Sequence, residues 1–169
     1  MQESVLRSKF NQSKLENFVT KFEKYFRKYE KGIMKSIEKY SGFTWKRKLI
    51  KVWIVESYNV SVPDPLLLNC YNYKKDFTLF ELIHMLTLNL FLDNDVHQLF
   101  TKNINHEAVA YLITKKVSEN FFTKRKMNKL CEKAEFDGFR KYIWEKVQEF
   151  EKIWDLNNKP LKKWIKESS

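Results

Sequence analysis

Asp76-Phe77-Thr78-Leu79-Phe80-Glu81-Leu82-Ile83-His84-Met85-Leu86, continued by Leu88, Leu90 and Phe91, is the stretch that decides how this chain folds. It predicts an apolar helix over about 78–91, entered through a turn at Lys74-Lys75-Asp76. Phe80 and His84 stand at i and i+4, so they share one helix face, with Glu81 beside them. Working outward, Leu66 to Tyr71 reads as a short strand before this helix, with Pro63 and Pro65 fixing an extended entry. Lys48 to Glu56 (KLIKVWIVE) is β-branched, aromatic and too short for an isolated helix. It predicts a strand buried on both sides, with a loop over 57–64 between the two strands.

Further out, Leu15, Phe18, Val19, Phe22, Phe26, Tyr29, Ile33, Met34 and Ile37 keep a period near 3.6 and predict one long amphipathic helix from Ser13 to Tyr40. Ser13 with Glu16 forms a capping-box pattern, and Gly42 sits where a left-handed residue ends a helix. Downstream, helices are predicted over about 105–121, 123–136 and 139–156, the last two separated near Asp137-Gly138. Pro160 marks the start of a short basic C-terminal helix or tail. Asp93 and Asp95 lack the glycine and terminal glutamate of a calcium loop and read as a polar turn.

Glu81 and His84 complete a Glu-x-x-His pattern. In the full His-Glu-x-x-His helix, two histidines one turn apart grip Zn²⁺ while the glutamate polarises the metal-bound water. Here Phe80 occupies the first histidine position. With 15 Glu and 3 His in 169 residues, a bare Glu-x-x-His arises by chance roughly 0.27 times, so the surroundings carry the reading. Asn105-His106-Glu107-Ala108-Val109-Ala110-Tyr111-Leu112 follows, its Glu107 placed 23 residues after His84, within reach of a third ligand on the next helix.

On these residues, and on Asp64-Pro65-Leu66-Leu67-Leu68-Asn69-Cys70-Tyr71 upstream, the chain resembles the gluzincin metallopeptidases, in particular the small archaeal minigluzincins, over roughly residues 48 to 118. The resemblance implies a zincin-like core. His84 would match the second zinc ligand, Glu81 the general base and Glu107 the third ligand, with His106 competing for that place. Phe80 departs from the pattern. Two protein ligands fall short of the three that a catalytic zinc site needs, and without the metal Glu81 has no acidified water to work on. Phenylalanine, large and unable to ligate, would fill the space a lost metal leaves. A rewired site would need His97 or His106 to join His84 and Glu107.

Thirty-two basic against 21 acidic residues give a net charge of +11 and an isoelectric point near 9.5, which makes nonspecific nucleic-acid binding a rival reading. Against it, Phe18, Phe22, Phe26 and Tyr29 recur at helical spacing, as a core stripe does. No apolar run is long enough to span a membrane, no signal segment opens the chain, and Cys70 and Cys131 are not in a metal spacing. These features predict a cytoplasmic protein with no membrane partner.

The chain therefore reads as one domain over 1–169: a zincin-like core at 48–118, an N-terminal amphipathic helix at 1–42 and a C-terminal helical part at 123–169. The expected fold class is α+β, mostly helical, with a small sheet packed on the long N-terminal helix, the motif helix and the glutamate helix. The expected function is that of a catalytically impaired metallopeptidase-like protein, binding or regulatory, with a peptide or protein partner and no cofactor. The rivals are an active metallopeptidase with rewired zinc ligands and a basic nucleic-acid-binding protein.

Overall fold

The computed structural model describes residues 12–56, 61–70, 73–96, 106–135, 138–155 and 159–168. The fold is α+β and mostly helical. In chain order, its described elements are α1 (Gln12–Arg27), α2 (Glu30–Ser41), β1 (Val52–Val55), β2 (Val62–Pro63), β3 (Leu66–Asn69), α3 (Lys75–Asp93), α4 (His106–Ser118), α5 (Lys124–Glu135), α6 (Gly138–Ile153) and α7 (Leu161–Ser168). Tyr71 and Asp137, where a strand end and a helix break were expected, lie outside the described residues, as do residues 57–60 of the loop expected over 57–64.

Helix α3 is buried continuously from Phe77 to Phe91, because it lies between α4 on one side and β3, β2 and α1 on the others. A helix surrounded in this way needs apolar residues all round, which its sequence supplies. Helix α4 is the second central element, packed on α3, α6 and α2. The sheet has the order β1-β3-β2. β1 runs parallel to β3 with Val52 opposite Leu66, and β2 runs antiparallel to β3 with Pro63 opposite Leu66. Leu66 and Leu68 of β3 point into one core shared with all seven helices. No helix among the described residues is long and apolar enough to cross a membrane.

Five expectations are corrected. The single helix from Ser13 to Tyr40 is two helices, broken at Lys28-Tyr29. Tyr29 N–H donates to Phe26 O at 2.8 Å, a tight i−3 turn, and the Tyr29 ring meets Tyr25 and Phe121 edge-on at 5.3 and 5.4 Å. The break lets Phe18 and Phe22 of α1 serve the α3 side while α2 packs on α4 and α7. Ser13 is consequently not a cap, since α1 already includes Gln12.

Strand β1 is not buried on both sides. Among the described residues it is an edge strand with one neighbour, and Val52 is 37% and Trp53 60% exposed. The loop expected over 57–64 contains β2, held by Asn89 Nδ2 donating to Pro63 O at 2.9 Å. The Lys74-Lys75-Asp76 turn is shorter than expected, because α3 already begins at Lys75.

Gly42 ends α2 as expected, at φ 73° with its N–H donating to Glu38 O. A Cβ there would come within 3.1 Å of the Pro160 and Lys162 Cβ atoms, where α7 approaches. Gly42→Ala is therefore expected to lose about 1–3 kcal/mol of stability, from left-handed strain and crowding together. Thermal denaturation followed by circular dichroism would check it, and an unchanged midpoint would show that the α2–α7 junction yields freely.

Candidate functional site

Packing of α3 on α4 brings together residues far apart in sequence. His84 lies mid-way along α3 and is 2% exposed, while Glu107 stands in the first turn of α4 with its side chain 30% exposed. The His84 Nε2 and a Glu107 carboxylate oxygen are 3.1 Å apart. One turn beyond Glu107, the Tyr111 ring lies flat on the imidazole, with centroids 3.7 Å apart and planes 14° from parallel. Position i+4 on α4 is where such a partner for a neighbour of Glu107 must come from. That spacing was visible in the sequence, although it did not single out Tyr111.

With Nε2 facing a carboxylate, the ring's proton belongs on that nitrogen. Nδ1 is then left buried without a hydrogen-bond partner among the described residues. Unpartnered buried polar atoms are uncommon and mark places where stability is not the whole explanation. Glu81, one turn before His84, is buried at 1%. Phe80, at the position of the missing ligand, is buried completely and ranks among the largest fully buried side chains.

Glu107 faces outward into a cleft of about 110 Å³, walled by Pro63, Leu88, Phe91 and Leu92, with exposed His106 beside it. His106 and Glu107 both line this cleft from the start of α4. His97, the other candidate for a rewired set, lies outside the described residues. Among the described residues, no three of His, Cys, Asp and Glu gather closely enough to hold a metal ion. Of the candidate donors among the described residues, His84 and Glu107 are the two that meet.

The cleft is braced by contacts that motif reading did not find. Arg47 bridges Asp93 at 2.7 Å and Asp64 at 3.0 Å, joining the end of α3 to the β2–β3 turn. The guanidinium holds the Asp64 carboxyl below its ordinary range. Asp93 is thus more than the polar turn expected of it, while Asp95 does take a turn conformation, at φ 54°. Asn89, five residues beyond His84, serves as the α3–β2 tie described above.

No protein-family model, curated protein or solved structure matches the chain. The gluzincin resemblance accordingly rests on the sequence residues that carry it.

Proposed function

We propose that this chain is a catalytically impaired relative of the gluzincin metallopeptidases that acts as a binding or regulatory protein in the cytoplasm. The observation that supports it is the 3.1 Å approach of His84 to Glu107. These are the two residues that the resemblance assigns as zinc ligands, and they come from separate helices. Fully buried Phe80 stands one helical turn before His84, where an apolar side chain closes the space that a third ligand would need. Phe80 cannot ligate a metal, so Glu81 would lack the zinc-bound water that the glutamate of an intact motif polarises.

Peptide binding needs no metal. An extended peptide adds to a sheet edge through backbone hydrogen bonds, with alternate side chains giving selectivity. The outer edge of β1 offers such a template, because among the described residues β1 pairs with β3 alone.

The test is bound metal by elemental analysis on the native protein and on Phe80→His, side by side after zinc loading and desalting. The expected result is no stoichiometric zinc on the native protein and one zinc per chain on the variant. Zinc on neither protein would remove the gluzincin relationship. One zinc already on the native protein would replace the impaired reading with a rewired, active site.

A further inference from the structure

A second feature lies about 15 Å from His84 along α3, ten residues earlier at 1.5 Å each. The start of α3 and the flank of α5 enclose a groove of about 550 Å³. Lys74 and Lys75 line it from one side and Lys126 and Lys129 from the other, over a floor of Phe77 and Leu130. Asp76 is the one acid in the lining, which leaves a net charge of +3.

The acid does not spoil the field. Burial opposes Asp76's ionisation, but hydrogen bonds from Lys126 and the Tyr25 hydroxyl outweigh it and hold its carboxyl below the ordinary range. Asp76 is thus committed to Lys126 at 2.8 Å and Tyr25 at 2.7 Å. At the groove's end, the Lys14 ammonium sits 4.1 Å above the Tyr73 ring, while Glu56 accepts the Tyr73 hydroxyl. Helix α3 also begins here without a side-chain cap, adding the positive end of a 19-residue helix dipole.

We propose that this groove binds single-stranded nucleic acid, with phosphates on Lys74, Lys75 and Lys129 and the sugar–base side over the apolar floor and Tyr73. A chain of net charge +11 supplies the long-range attraction. Lysine ammoniums beside an aromatic ring and an apolar floor match a polymer that alternates phosphate with flat apolar bases. An acidic peptide would satisfy the lysines but not the floor and the ring. The inference does not depend on the His84–Glu107 site.

The test is fluorescence anisotropy of a labelled oligouridylate of about 12 nucleotides with the full chain, between about 50 and 200 mM salt. About three phosphate contacts give a log–log salt slope near −2, at about −0.7 per contact for single strands. Lys74→Glu with Lys129→Glu is expected to weaken binding at least about tenfold and to flatten the slope by about 1.4. Lys31→Glu with Lys35→Glu, an equal charge change on exposed residues of α2, is the control and is expected to lose much less.

Equal losses in the two variants would mean diffuse charge attraction and overturn the proposal, as would no binding at the lowest salt. Tighter binding of polyglutamate than of the oligonucleotide would overturn it in favour of an acidic peptide. If the glutamate pair lowers the melting temperature, Lys74→Gln with Lys129→Gln carries the same comparison without charge reversal.

Discussion

Phe80→Ala is expected to lower the unfolding free energy by about 3–5 kcal/mol, the range for emptying a well-packed phenylalanine site. Phe80 is completely buried, on a helix whose neighbours cover it on every side, so the surroundings have little freedom to collapse into the gap. Against a total stability of about 5–15 kcal/mol for a domain, that is about a fifth or more of the whole. Urea denaturation would read it as a lower midpoint at unchanged slope.

The result bears on function as well as on stability. A side chain retained to bind or react is usually dispensable for folding, whereas one that plugs a former metal site is not. A loss under about 1 kcal/mol would show that the position is not packed as a plug. Phe80→His gives the matching contrast. Without metal, an imidazole in this apolar space costs about 1–3 kcal/mol for each polar group left unpaired. Zinc at a hundred times its dissociation constant returns about 2.7 kcal/mol. Zinc should therefore raise the midpoint of the histidine variant and leave the alanine variant where it is.

Helix α3 was legible because a long apolar segment with turn signals before it leaves few alternatives, and Glu107 was legible because the next helix starts a short distance on. The break between α1 and α2 was not. Phe26, Tyr29 and Ile33 continue the helical period across it, and the turn is imposed by partners such as Phe121, far along the chain. The exposure of Trp53 was hidden for a related reason: strand composition reports a tendency to extend, not how many neighbours the sheet provides. Strand β2 has two residues and hence no period to read. The groove lysines stand more than 50 residues apart in sequence, so only the packing of α5 beside the start of α3 assembles them.

The second large effect concerns the pair itself. His84→Ala is expected to cost about 2–4 kcal/mol, since it opens a cavity beside Tyr111 and removes the partner of Glu107. Glu107→Ala should cost less, about 1–2 kcal/mol, because its carboxylate is 30% exposed and water screens part of the attraction. Replacing both with apolar residues of similar size, His84→Leu with Glu107→Met, removes Nδ1, which has no partner among the described residues, together with the hydrogen-bonding groups. It is expected to fall within about 1 kcal/mol of the native protein or to exceed it, as replacement of buried polar pairs often does.

A double-mutant cycle by urea denaturation, with both alanine variants and their double, should give a coupling of about 1 kcal/mol across the 3.1 Å contact. Strict additivity would mean that the two side chains do not act on each other, and the strongest support for the impaired-site reading would be lost. A coupled pair that apolar residues replace at no cost is a pair that folding does not require, and its presence then points to what enters the cleft beside Glu107.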